Sequence, residues 1–229
     1  MDVRVLSDVA GAKEATGLVV IIDVLRAATV AAYLLNQGVL SITPVASKEE
    51  AFSYQEINPN FLLVGEEMGI KIEGFDIGNS PKEIKQLDNL KNKHVIHRST
   101  TGTQGLVNSD NADEVIFGTF VTTKAIADYL LVKNPKVVSL VSMGGLEDEL
   151  FAEFLRGKLL NKRTLEIKEV VTILENHDGC QWFLDPKKTD FPSEDFYLSL
   201  ETDVFSFFPI LHRDKIVKST FAKFSTQLC

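Results

Sequence analysis

Four short apolar runs in this chain end in residues able to do chemistry. Asp23 and Arg26 follow the run LVVII at residues 18–22, and Gly65, Glu66 and Glu67 follow residues 61–64. Arg98, Ser99, Thr100 and Thr101 follow residues 94–96, while Gly144, Gly145, Glu147 and Asp148 follow residues 137–141. Carboxylates ligate hard cations such as Mg²⁺. An arginine fork matches phosphate or sulfonate oxygens. Such a set could run metal-assisted hydrolysis of a phosphate ester, the metal lowering the pKa of the attacking water and neutralising developing charge. Each residue also has a plainer reading. Asp23 is a metal ligand or general base, or else a cap on the next helix or a partner for Arg26, because an isolated carboxylate is costly to bury. Arg26 binds an anion or forms an ion pair.

The stretch VGEEMGIKIEGFDIGNSP at residues 64–81 is the richest, with four glycines and four carboxylates in eighteen residues. Asn79 and Ser80 stand where a helix is capped, with Pro81 in its first turn, and free amides at such a start can bind an anion. Asp76 binds metal or shapes the loop; Lys71 and Glu73 read as solvated charges. RSTTGTQG at residues 98–105 has the composition of an anion cradle, without the spacing or lysine of a nucleotide P-loop. No base stands beside Ser99, Thr100 or Thr101, so a serine nucleophile is not indicated. His94, His97, His177 and His212 lack metal-ligand spacing and read as structural.

The elements that must position these groups alternate. Residues 2–6, 18–22, 41–45, 61–64, 94–98, 114–117 and 137–141 read as strands; residues 27–37, 48–56, 81–89, 122–132 and 147–160 read as helices. This implies an α/β fold, a layered α/β/α arrangement with a mainly parallel or mixed sheet, as one domain over residues 1–229 or two tightly packed lobes. In a parallel sheet all carboxyl ends share one edge, where ligands bind. Asp23, Glu66, Arg98 and Asp148 are therefore expected to line one pocket. After residue 161 the pattern weakens: residues 165–174 are strand or helix, 185–193 loop, and the aromatic-rich 203–211 closes the core.

Composition narrows the function. The 229 residues are 45% hydrophobic and 24% charged, with a net charge of −8. That balance argues against nucleic acid, which favours basic surfaces, but leaves room for a small anionic phosphorylated substrate held by local cations or a metal. Cys180 and Cys229 give neither a disulfide framework nor a zinc cluster. No signal peptide is seen, and LVVIID is too short to span a membrane. The expectation is a cytoplasmic protein with reduced thiols.

The segments VVIIDVLRAAT (residues 19–29), VGEEMGIKIEGFDIGNSP (64–81), STTGTQG (99–105) and GLEDELFAEFL (145–155), with the tail LETDVFSFFPIL (200–211), have the order and spacing of the 2-phosphosulfolactate phosphatase family, which this chain resembles over nearly its whole length. The resemblance implies an α/β phosphatase dependent on Mg²⁺ that converts 2-phospho-3-sulfolactate to 3-sulfolactate and phosphate, a step towards coenzyme M, with a homodimer as a candidate assembly. On this reading Asp23, Glu66 and Asp148 hold the metal. Asp23, Arg26 and Arg98 serve catalysis, while Asn79, Ser80, Ser99, Thr100, Thr101, Gly102 and Thr103 bind substrate. The alternatives are a phosphatase for a different 2-phospho-acid and a diverged, non-catalytic binder of a phosphorylated or sulfonated acid. The chain departs from the family pattern at Glu67, where arginine is usual, at Thr101, where asparagine is usual, and in a shorter loop before Glu147. These departures bear on substrate more than on fold.

Overall fold

A computed structural model describes residues 1–220, which leaves Cys229 outside the described residues. The strands are β1 (Asp2–Ser7), β2 (Gly17–Ile22), β3 (Ser41–Pro44), β4 (Leu62–Glu67), β5 (Ile70–Lys71), β6 (His94–Arg98), β7 (Ala112–Gly118), β8 (Val137–Ser142), β9 (Phe207–His212) and β10 (Lys215–Thr220). The helices are α1 (Asp8–Glu14), α2 (Ala27–Asn36), α3 (Lys48–Ile57), α4 (Pro81–Lys85), α5 (Gly102–Val107), α6 (Thr123–Lys133), α7 (Leu146–Leu159), α8 (Ile167–Glu175), α9 (Gln181–Leu184) and α10 (Ser193–Leu200). Residues 165–174, ambiguous in sequence, are mostly the helix α8, closed by a reciprocal Glu166–Glu169 capping box.

All ten strands join one mixed sheet in the order β1-β8-β2-β7-β9-β10-β3-β6-β4-β5. Two parallel blocks make up most of it, β1-β8-β2-β7 and β3-β6-β4. Between them the hairpin β9–β10 pairs antiparallel with β7 on one side and with β3 on the other. It follows that the blocks run in opposite senses. This corrects the expectation of a shared carboxyl edge: a mixed sheet of this order has none. The hairpin escaped the sequence reading because its turn carries Arg213 at positive φ, where glycine or asparagine would have signalled it.

What brings the blocks' ends together is α2. Every residue from Ala27 to Leu35 is buried, and a helix apolar on all sides belongs inside a protein. It shares one core with Val19, Ile21 and Phe117 of the first block and Ile42, Val64 and Val95 of the second. The bridging pairings are sparse there, with Ile216 opposite Ile42 and only two residue pairs between β7 and β9. A second core packs the other face of the first block, through Leu18, Val20 and Ile22, against α6, α7, α8 and α10. Truncating Leu34, which is fully buried, would cost about 2–5 kcal/mol.

Candidate active site

A cavity of about 330 Å³ opens where the first turns of α2, α5 and α7 meet the end of β4. Asp23, Arg26, Glu66, Asn79, Thr100, Thr101 and Glu147 line it, with Leu25, Met68, Gly69, Gly179, Trp182, Phe183 and Phe191.

Asp23 is both cap and cavity residue. One carboxylate oxygen accepts the Ala27 amide (2.7 Å) and the other the Thr101 hydroxyl (2.8 Å). Gly102 makes this approach possible, since a Cβ there would lie 2.6 Å from Asp23 Oδ2 and 2.9 Å from the Phe117 ring. Thus Thr101 and Gly102 start the helix α5, where the sequence suggested only a loop. Glu66 is held from three sides. Its oxygens accept the Thr100 amide and the Gly69 amide, each at 2.5 Å, and the Thr100 hydroxyl at 2.9 Å. Gly65, at φ 151°, lets β4 come this close to β6, because a Cβ would fall 2.0 Å from the Arg98 carbonyl oxygen.

Asp148 stands behind the cavity. Its oxygens accept the amides of Val24 (2.8 Å) and Met143 (3.2 Å), which ties the ends of β2 and β8 together. The neighbouring Glu147 faces the cavity instead. Burial pushes the carboxyls of Asp23, Glu147 and Asp148 up, and the Asp23 charge raises the other two further. Glu66 in turn raises Asp23. Uncompensated carboxylates so close together fit a divalent cation. Among the described residues no three His, Cys, Asp or Glu side chains form a metal cage.

Arg26 is buried between aromatic rings, its Cζ 5.4 Å from the Phe183 centroid and 5.1 Å from that of Phe191. Nη1 donates to Asp195 Oδ2 and to the Asp190 carbonyl, and Nη2 to the Gly69 carbonyl. Among the described residues Nε–H and one Nη2–H have no hydrogen-bond partner. Asp195 is the hub of this wall: its other oxygen accepts the Ser80 hydroxyl and the Lys82 amide. Ser80 also caps α4, accepting the Glu83 amide. Asn79 accepts from Nε2 of His97 (3.0 Å). Burial lowers the His97 pKa to about 4, so the ring is neutral and this proton fixes the amide's orientation. The Asn79 Nδ2 group then has no protein partner among the described residues.

Other expected residues lie elsewhere. Ser99 and Thr103 bond each other inside the protein, each amide donating to the other's hydroxyl. Arg98 donates to the Glu66 carbonyl (2.5 Å) and to Glu67 (3.3 Å), outside the cavity lining. Glu67 turns to the surface, where Lys48 and Arg98 pull its carboxyl down. Asp76 shapes its loop by accepting the Leu63 amide. Burial pushes the Cys180 thiol up to about 12, which leaves it unreactive. The sequence reading put Glu147 in a cluster expected at the pocket but gave the metal role to its neighbour Asp148, and it missed Asp195 and the aromatic wall.

The chain matches the family described as 2-phosphosulpholactate phosphatase over residues 6–213. It belongs to the 2-phosphosulfolactate phosphatase family. Similar relatives carry the name "Probable 2-phosphosulfolactate phosphatase". One from Carboxydothermus hydrogenoformans is 41% identical over 66% of this chain and 64% of its own length, just under two thirds. One from Bacillus subtilis is 31% identical over 77% of this chain and 78% of its own length, and one from Clostridium perfringens 30% over 82% and 81%. The family match spans all the cavity residues and both parallel blocks except most of β1. Among the described residues no helix is long and apolar enough to cross a membrane.

Proposed function

We propose that this chain is a Mg²⁺-dependent phosphatase acting on a 2-phospho-acid of the kind its relatives are named for, releasing phosphate and the 2-hydroxy acid. The observation that carries the reading is the meeting of Asp23, Glu66 and Glu147 with Arg26 and Asn79 on one cavity. Carboxylates alone would repel a phosphate dianion, and an arginine alone would need no carboxylates; together they suit a cation shared between protein and ester. Asp23 and Glu66 would hold Mg²⁺, with Glu147 beside them and Asp148 supporting from behind. When bound, the metal would neutralise phosphate oxygens and make water more acidic. Arg26 offers its two uncommitted N–H groups to the ester's anionic oxygens. Asn79 offers an amide that His97 has already oriented, so little ordering is needed on binding. The Thr100 and Thr101 hydroxyls are engaged by Glu66 and Asp23 and hold those carboxylates in place.

The test is phosphate release from a panel of 2-phospho-acids with Mg²⁺ and with chelator. Turnover that vanishes on chelation and returns with Mg²⁺ is expected. Equal release in both conditions would overturn the metal dependence, and binding without release from any ester would favour the non-catalytic reading.

A further inference from the structure

The ester that the relatives are named for carries three acid groups: a phosphate, a carboxylate and a sulfonate. Among the described residues lining the cavity, the carboxylates Asp23, Glu66 and Glu147 face one cation, Arg26. Its Nε–H and one Nη2–H have no partner, enough to grip one acid group in the two-point manner of a guanidinium. A metal would take charge from the phosphate. The sulfonate, permanently ionised and on an arm one bond longer than the carboxylate, still needs a cation. The rest of the lining is Leu25, Met68, Gly69, Trp182, Phe183 and Phe191 with neighbouring loop, and the electron-rich faces of bare rings would repel it.

One ring face is not bare. Lys188 Nζ stands over the Trp182 ring, 4.5 Å from its centroid, and Trp182 is both part of the lining and 51% exposed. The backbone fixes this placement. The Lys188 amide donates to the Asp185 carbonyl and the Lys188 carbonyl accepts the Phe191 amide, both at 2.9 Å. The same turn therefore carries the ammonium and the Phe191 ring, which meets Trp182 edge-on at 5.5 Å. Among the described residues the Lys188 ammonium has no carboxylate or hydrogen-bond partner. Lys71 and Lys82 differ: they line a neighbouring cavity, where Lys71 donates to the Asp76 carbonyl and Lys82 pairs with Glu194. A lysine over an exposed indole is held weakly and keeps three donors that can turn to an anion.

We infer that Lys188 is a specificity-determining residue of this site, its ammonium pairing with the sulfonate on the third carbon of the substrate while Trp182 holds it in place. This rests on the phosphatase reading for the phosphate end and on the Lys188–Trp182 arrangement for the other. The carboxylate and phosphate stay with Arg26, Asn79 and the metal. The methylene of the third carbon packs against the rings, and the sulfonate reaches past them to Lys188.

The experiment compares 2-phospho-3-sulfolactate with O-phospholactate, which lacks only the sulfonate, in the presence of Mg²⁺. Lys188 is exposed, so Lys188→Met keeps the apolar stem and removes the charge without disturbing the core. It should raise KM for the sulfonated ester about fivefold, the size expected of an exposed ion pair, with kcat little changed. KM for phospholactate should move by less than about twofold, and Lys188→Arg should restore most of the preference. Trp182→Ala should lower the same preference, and by less in the Lys188→Met background than alone, because the two act as a unit. No preference for the sulfonated ester in the wild type, or an equal shift of both esters in Lys188→Met, would overturn the role of Lys188. If neither ester is hydrolysed, the phosphatase reading falls while calorimetric titration with 3-sulfolactate still decides. Tighter binding by the wild type than by Lys188→Met, with lactate alike in both, upholds the sulfonate contact; equal or absent binding of 3-sulfolactate rejects it.

Discussion

The two sides of the cavity are built differently. The polar side comes from strand ends and helix starts, where Asp23, Glu66 and Thr101 are held by backbone amides and by one another. The aromatic side comes from short helices and loop between residues 178 and 195, held through Arg26, Asp195 and ring contacts. One side is fixed by the sheet and can impose geometry on a reaction. The other is fixed by side chains and can change its residues without moving the sheet. The difference teaches where chemistry and selectivity separate in this fold.

The largest effect is expected on the polar side. Asp23→Asn should lower Mg²⁺-dependent phosphate release by at least about 10³-fold, several kcal/mol of charge stabilisation being lost, while thermal unfolding shows the fold intact or slightly stabilised. The amide still accepts one of the two hydrogen bonds and removes a charge that Glu66, Glu147 and Asp148 oppose. Unchanged turnover would leave Asp23 as a helix cap alone.

Joining the two sides is the Arg26–Asp195 pair, with side chains 4% and 0% exposed. Asp195→Ala leaves a buried guanidinium without its partner, so denaturant unfolding should reveal a loss of about 3–5 kcal/mol. A loss well under 1 kcal/mol would mean the aromatic side does not depend on this pair.

The next effect is on acid stability. His97 has a folded pKa of about 4, below its ordinary 6.5. Its contribution is therefore present above about pH 6.5 and is lost as pH falls through about 4, a swing of about 3 kcal/mol. His97→Gln, which can still donate to Asn79, should remove that part of the acid-side loss in unfolding curves at the two pH values. An unaltered profile would assign the loss to other groups.

The carboxylates of the polar side act in the opposite direction. Their raised pKa values mean stability that is present below the ordinary carboxylate range and lost as pH rises through the raised values. Stabilisation by Mg²⁺ should therefore be larger at about pH 8 than at about pH 5 in thermal melts, and a flat or reversed difference would argue against a metal on this side. The smallest effect belongs to Glu67→Arg. Glu67 lies on the surface between Lys48 and Arg98, so kcat/KM should change by less than about threefold, surface ion pairs being weak; a large gain with the sulfonated ester would show that this position reaches the substrate.

The polar side was largely legible in the sequence because strand ends announce themselves. Runs such as LVVII need burial, and a carboxylate at the end of one needs a reason. The Ala- and Leu-rich segment behind Asp23 was readable as α2. The reason for convergence was not readable, since it depends on α2 packing against both blocks after the hairpin β9–β10 has reversed one against the other. Glycine-rich α5 was hidden because its composition is that of a turn, although Gly102 is required by packing against Asp23. Asp148 and Glu147 are adjacent in sequence, and only the helix turn decides which faces the cavity. The aromatic side gave least, because its helices are short and Asp195 owes its burial to distant Arg26. One signal was present: Asp195, Phe196, Ser199 and Leu200 share a helical face, all four buried, which marks an acid turned inward.

The hairpin β9–β10 also has a consequence for the order in which the chain can be completed during synthesis. β3, β4 and β6 lie within residues 41–98 and can pair with one another as soon as they emerge, whereas β2 must wait for β7 and β1 for β8. Until residues 207–220 follow, β7 and β3 each present an open edge to other nascent chains, a known route to aggregation. A ribosome stalled before Phe207 would thus release a chain whose reactive carboxylates are all present but whose two unfinished sheets are free to pair with strangers.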